Sequence, residues 1–210
     1  MPAISQKSAA VIRLARKGPI RARDLAPLGI PRVYLGRLVE RGLLTQLGAG
    51  LYQHPNAPQT ELHSVAETIK RVPHATACLV TALQIHGLTT ELPHAVWILI
   101  ETHARAPVWT TTKLEVIRAS GAALTHGVED RTIEGVRAKL TTPAKTVADC
   151  FRYRRHVGLD VALAALREYL SRGRDPKRGR TGDFSVDALL RAAKSDRIGS
   201  VIRPYLEALS

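Results

Sequence analysis

Along the first sixty residues, apolar positions recur at helical spacing, break at glycine or proline, and then alternate as strands do. Ser8 can cap a first helix whose apolar side uses Val11, Ile12, Leu14 and Ala15 and which ends at Gly18-Pro19. Leu25 and Ala26 supply the buried side of a short second helix, Gly29 offers a turn, and Pro31 stands at a first helical position, where a missing N–H costs nothing. Leu35, Leu38 and Val39 follow at i, i+3 and i+4, so one face of the next helix points inward. The opposite face carries Val33, Gly36, Arg37 and Glu40, with Arg32 at its start. Gly42 closes that helix, and Leu43–Leu47 and Leu51–Gln53 bracket Gly48-Ala49-Gly50 as a hairpin. Helix, turn, helix and two-stranded ribbon in that order predict a winged helix-turn-helix.

His54 to Gln59, with two prolines and an asparagine, interrupts the periodicity. The expected division is a winged helix-turn-helix DNA-binding domain over 1–58 and an α+β domain over 59–210. In the second domain Thr60 starts a helix with Leu62, Val65, Ala66 and Ile69 on one face, and another runs from Thr76 to His86. Ala95–Glu101, Leu114–Arg118 and Val136–Leu140 read as strands, joined by hairpin-like connections in preference to crossovers. Thr142 with Pro143 behind it opens a helix burying Ala144, Val147, Ala148 and Phe151. Gly158 separates this from a helix built on Leu159, Ala162, Leu163, Leu166 and Leu170. Arg172 to Gly182 is glycine-rich, basic and nearly free of apolar residues, which predicts an exposed mobile loop. Ser185 caps a further helix with Phe184 and Leu189 as a hydrophobic staple, and Ile198 to Leu209 form the last. The fold class is α+β, with a small sheet in the second domain and C-terminal helices.

Charge sharpens this picture. The chain of 210 residues has a formal net charge of +13, and residues 1–58 hold nine basic side chains against two acids. A surplus of seven on so short a segment points to a polyanionic partner. Cys78 and Cys150 lie far apart in apolar patterns and read as core residues. No stretch is long and apolar enough to span a bilayer and no cleavage-site pattern follows the start, so a cytoplasmic protein without membrane contact is expected.

Enzyme chemistry finds little support. There is no glycine-rich phosphate loop, no H-E-x-x-H and no C-x-x-C, and the eight histidines are scattered singly. Neither a metal site nor a cofactor is expected. The one acid-x-lysine of the kind metal-dependent nucleases use is Asp175-Pro176-Lys177, where proline and glycine oppose a strand. Asp149, close in sequence to Arg152 and Arg154, reads as a structural ion-pair partner in preference to a catalyst.

The run from Thr142 to Arg154, TPAKTVADCFRYR, followed by Val157-Gly158-Leu159-Asp160-Val161-Ala162-Leu163, resembles the T-P-x-x-T-x-x-D-x-F-R-x-R and V-G-x-D-x-A-L pattern of AbiEi-type antitoxins. Thr81 to Leu88 is similar to that family's S-A-L-x-x-H-G-L stretch, and R-G-L-L-T-Q-L-G-A-G-L-Y to its winged helix. The resemblance implies a two-domain antitoxin of type IV, abortive-infection toxin-antitoxin systems. Its N-terminal domain would bind repeats in its own promoter and repress the operon. Its C-terminal domain would counteract a nucleotidyltransferase-like toxin. The chain departs from the family where Arg21 stands before the short helix in place of a polar cap, and where Gln46-Leu47 leaves the wing without a basic residue. Arg21 and Arg23 would then compensate from the helix.

On this reading Arg32 and Arg37 are the candidates for base edges, and Val33 and Gly36 share their face. Tyr34 either reaches a phosphate or packs inward. Arg13, Arg16, Lys17, Arg21, Arg23 and Arg41 are phosphate candidates. Arg152, Arg154, Arg155, Arg172, Arg174, Lys177, Arg178 and Arg180 form a second basic region, which meets either an acidic toxin surface or more DNA. Two other readings stand beside the antitoxin: a winged-helix regulator without a toxin, and a DNA-reading domain fused to a nuclease.

Overall fold

The computed structural model describes residues 5–105, 107, 112–175 and 184–209. It is a mixed α and β structure with one three-stranded and one five-stranded sheet. By contacts the chain divides into two compact units, Met1–Pro73 with Thr132–Ala138, and His74–Arg131 with Lys139–Ser210.

The first unit opens with α1 (Gln6–Ala15), whose cap is Ser5 and not Ser8: the Ser5 hydroxyl accepts from the Ser8 N–H at 3.2 Å. A two-residue strand, β1 (Ile20–Arg21), leads into a 3₁₀ helix (Ala22–Leu28) where a short helix is expected from Leu25 and Ala26. Asp24 reaches back to the Arg21 N–H at 2.6 Å and closes its first turn. Gly29 takes the left-handed turn at φ 61°, and α2 (Val33–Glu40) follows with Arg32 as its N-cap. Pro31 therefore lies outside the helix, two residues before the first helical position it is expected to occupy. The ribbon is β2 (Thr45–Gly48) and β3 (Leu51–Gln53), and β3 also pairs with β1, giving the order β1-β3-β2. Val11, Ala15, Leu25, Leu35 and Leu38 fill the core beneath, so the inward stripe of α2 is the one its spacing predicts.

Helix α3 (His63–Arg71) completes this unit and starts three residues after Thr60. Thr60 instead ties the chain to a distant turn. Its N–H and hydroxyl both donate to Glu134 Oε1, at 2.6 and 2.9 Å, while His63 Nδ1 lies 2.7 Å from Oε2. Glu134 and Gly135 form that tight turn at φ 45° and 72°. A side chain at Gly135 has no room, because its Cβ would stand 2.7 Å from the Lys17 carbonyl oxygen.

The second unit holds most of a sheet ordered β6-β5-β4-β8-β7, of which residues Thr132–Ala138 fall in the first. The sheet's strands are β4 (Thr76–Ala77), β5 (Val96–Glu101), β6 (Leu114–Ala119), β7 (Val128–Ile133) and β8 (Val136–Thr141). Thr76 and Ala77 are thus strand, not the start of a helix, and α4 spans Leu79–His86. β5 runs parallel to β6, so these consecutive strands do not form the expected hairpin, and β4 runs parallel to β8. A one-turn helix, α5 (Ala122–Thr125), precedes β7.

The helices that follow match their spacing closely. Thr142 accepts from the Lys145 N–H at 3.4 Å at the head of α6 (Pro143–Arg152), and Pro143 takes the first helical position. After α7 (Arg154–Val157) comes α8 (Leu159–Arg174), which carries on through Arg172 and Arg174; these two residues are helix and not loop. The rest of the expected loop, 176–183, lies outside the described residues. Ser185 accepts from the Ala188 N–H at 3.1 Å and caps α9 (Val186–Ser195), and α10 (Gly199–Leu209) ends the chain's described part. Phe151, Leu166, Tyr169, Leu189 and Ile202 form the centre of this core. Cys78 and Cys150 are free thiols inside it, both pushed up by burial. Among the described residues no helix is long and apolar enough to cross a membrane.

Candidate nucleic-acid interface

Helix α2 turns Leu35 and Leu38 inward, which at 3.6 residues per turn leaves Arg32, Val33, Gly36, Arg37 and Glu40 on the outside, all exposed. An open groove of about 570 Å³ runs between this face and the ribbon, with Gly50 and Tyr52 on its far side. A side chain at Gly36 would meet nothing within 4 Å, so the helix backbone is bare in the middle of the groove. The Arg32 guanidinium makes no hydrogen bond or ion pair among the described residues. That of Arg37 touches only the Tyr34 ring, its carbon 5.9 Å from the centroid. Tyr34 is half-buried against the core, with its ring as a platform for that arginine.

The phosphate candidates separate into two kinds. Arg13, Arg16, Lys17 and Arg41 are exposed. Arg16 Nε stands 3.5 Å from His54 Nε2. His54 Nδ1 already accepts from the Asn56 N–H at 3.0 Å, which leaves the proton of a neutral ring on Nε2. Arg16 therefore faces a donor and is not held by it; burial and then the Arg16 charge lower the His54 pKa. Arg21 and Arg23 behave otherwise. Their guanidinium groups donate to the Arg71 and Lys70 carbonyls at 3.2 and 3.5 Å, at the end of α3, while Lys70 pairs with Asp24 at 2.8 Å. Arg21, half-buried, holds the end of α3, while Arg23 is exposed and reaches it only at the limit of hydrogen-bond distance.

Arg71 is a functional residue that pattern reading overlooks. Its Nη2 donates to the Leu47 carbonyl in the ribbon at 3.0 Å and to Glu67 at 3.2 Å. The signal for it is Glu67 four residues earlier, the spacing of a helical ion pair.

Most of the second basic region ends on backbone oxygen. Arg152 donates to the Asp196 carbonyl at 2.7 Å, Arg154 to the Phe151 carbonyl at 2.9 Å and Arg174 to the Leu209 carbonyl at 3.0 Å. Arg172 donates to the His86 carbonyl at 2.6 Å and to the Gly87 carbonyl, and pairs with Glu168 at 2.7 Å. These oxygens belong to the unsatisfied last turns of α9, α6, α10 and α4, where the helix dipole also favours a cation. Arg155 alone of the five described members is exposed with a side chain that makes no hydrogen bond or ion pair among the described residues; Lys177, Arg178 and Arg180 lie outside them.

Asp149 pairs with neither Arg152 nor Arg154. Its Oδ1 lies 2.5 Å from Lys145 Nζ, one helical turn back, and the same ammonium meets Asp196 Oδ1 at 2.7 Å. The Lys145 side chain has no exposed surface. Burial opposes its charge, but the two carboxylates outweigh that and raise its pKa. Burial, aided by Asp196 and opposed by Lys145, pushes Asp149 up to about 7. With no access to solvent the triad cannot turn over a substrate; it pins α6 to the end of α9. Among the described residues no group of His, Cys, Asp or Glu is arranged to hold a metal ion.

An open, arginine-flanked helix beside a ribbon is the arrangement of a winged helix. Residues 10–55 match the family described as transcriptional regulator, AbiEi antitoxin. The resemblance to AbiEi-type antitoxins holds over that segment, which contains the second half of α1, all of α2 and the whole ribbon. No curated protein matches the chain. Among solved structures, the RV2827C protein from Mycobacterium tuberculosis shares the fold with a TM-score of 0.55 at 14% identity, covering 98% of this chain and 82% of that one. The chain thus has a counterpart of similar fold along nearly its full length.

Proposed function

We propose that this protein is a DNA-binding antitoxin that represses its own operon and counteracts a nucleotidyltransferase-like toxin in a type IV system, acting in the cytoplasm. What supports the DNA-binding part is the outer face of α2, where exposed Arg32 and Arg37 flank the bare backbone at Gly36. In the major groove, arginine matches the two acceptors of guanine, and a glycine between two arginines lets the helix approach closely. Arg13, Arg16, Lys17 and Arg41 would take phosphates and set the register. The assignment of DNA binding to 1–58 and of antitoxic activity to 59–210 belongs to this proposal.

A gel shift on the promoter fragment upstream of the operon tests it. Retarded migration that is competed by the same fragment and lost in Arg32→Ala/Arg37→Ala is expected. A wild-type protein that binds this fragment no better than unrelated DNA would remove the repressor role. Growth rescue on co-expression with the adjacent toxin gene tests the second part independently.

A further inference from the structure

The second unit holds a cavity of about 370 Å³ that the DNA-binding reading leaves unused. Its floor is one face of the sheet. Register places Thr76 between Lys139 on β8 and Leu99 on β5, and Glu101 follows Leu99 by two residues on the same face. Continued two residues back, the same antiparallel register sets His74 opposite Glu101. Leu124 and Thr125 at the end of α5, with Val128, Glu129 and Asp130 of β7, form the remaining walls.

Three features distinguish this cavity from a surface dimple. Thr76 is only 4% exposed, yet its hydroxyl makes no hydrogen bond among the described residues. A hydroxyl that the fold leaves without a partner and that lines a cavity offers one donor and two acceptor lone pairs to whatever enters. The Lys139 ammonium forms no ion pair or hydrogen bond among the described residues, although Glu101, Glu129 and Asp130 line the same space. It lies beyond pairing distance of each carboxylate. Glu101 uses one oxygen to accept from the His103 N–H at 2.7 Å, and its other oxygen makes no hydrogen bond among the described residues.

Opposite charges that share a cavity without meeting make a dipolar site: a ligand with a single charge satisfies one pole and leaves the other bare. Leu124 and Val128 add an apolar wall beside the poles. We propose that this cavity binds a small zwitterion of the α-amino-acid type. Its carboxylate meets Lys139 and the Thr76 hydroxyl, its ammonium meets Glu101, and an aliphatic side chain lies against Leu124 and Val128. The volume leaves space for such a molecule and bridging water.

The test uses the full chain and measures thermal shift and calorimetric binding with glycine, L-valine and L-leucine, each also as its amide and its N-acetyl derivative. The free amino acid is expected to raise the melting temperature with the logarithm of its concentration. Each single-charge analogue, and each of Lys139→Met and Glu101→Gln, should bind at least about tenfold more weakly. Thr76→Val should show a smaller loss. Lys139 is exposed, so its variant should fold, and an unchanged circular dichroism spectrum and promoter gel shift would show that it has. No shift with any of the three amino acids at about 10 mM overturns the proposal. So does an amide or N-acetyl derivative that binds as well as the parent, or a folded Lys139→Met protein that binds like the wild type.

Discussion

The arginines of α2 and those of the C-terminal helices are the same residue in opposite circumstances. Arg32 and Arg37 stand in open solvent beside a groove, and no carbonyl or carboxylate of the described chain engages them. Arg152, Arg154, Arg172 and Arg174 each close the last turn of a helix by donating to its carbonyls. A net charge of +13 therefore overstates the positive surface offered to a polyanion. A guanidinium already bonded to backbone oxygen has fewer N–H donors left for a phosphate and is fixed in place by that bond, whereas one facing water exchanges only hydration and counterions. What a basic side chain does is decided by where helix ends fall near it.

Lys145 is the extreme of the engaged kind and carries the largest expected effect. Lys145→Met leaves two buried carboxylates without a counter-charge, which should cost about 3–5 kcal/mol of stability in urea unfolding. A loss under about 1 kcal/mol would mean the triad holds little together. Next comes the split between the two groups of arginines. Arg37→Ala should leave the melting temperature unchanged and weaken operator binding by about 1–3 kcal/mol at fixed salt. Arg172→Ala should do the reverse, costing about 1–3 kcal/mol of stability as the carbonyls ending α4 lose their donor, with promoter affinity unchanged. Equal loss of DNA affinity in both variants would erase the distinction.

A smaller effect depends on pH. The Asp149 pKa is raised from 3.8 to about 7 in the fold, so the folded protein holds this proton more tightly than the unfolded chain. The stabilisation from that proton is complete below the lower value and lost as pH rises through the higher one. Melting temperatures measured from about pH 5 to about pH 8 should therefore fall with a component that Asp149→Asn removes. Identical slopes in the two proteins would place the proton elsewhere. The smallest effect concerns Gly36. Gly36→Ala should stabilise α2 by up to about 1 kcal/mol, since a Cβ there meets nothing, while promoter affinity drops because the same Cβ stands in the groove. Unchanged affinity would show that DNA does not come close to this turn.

Spacing makes the N-terminal helix-turn-helix legible because its helices are amphipathic and its turn uses glycine: Leu25, Gly29, Leu35 and Leu38 announce two helices joined by a tight turn. The Thr142-Pro143 start of α6 is equally plain. Strands β1 and β4 are invisible, since two residues have no period. β7, Val-Glu-Asp-Arg-Thr-Ile, carries three charges in a row where alternation would have marked it. At the candidate interface the outer face of α2 can be named from sequence, but the fate of Arg21, Arg23, Arg152 and Arg172 cannot. Their partners are carbonyls 44 to 86 residues away, and every residue type supplies a carbonyl. Asp149 is a milder failure. Arg152 and Arg154 are near in sequence, yet the residue one turn back, Lys145, shares its helix face.

The grip of Arg71 on the Leu47 carbonyl has a kinetic side. A short hairpin alone is only marginally ordered, and a reader whose wing fluctuates must freeze it at each encounter with DNA. With the guanidinium anchored to Glu67 on α3, the ribbon arrives in position before contact. A fragment ending at residue 58 would keep the same reading helix but lose that anchor. It should recognise the same sites with a shorter residence time, so that the loss falls on dissociation and not on the choice of sequence.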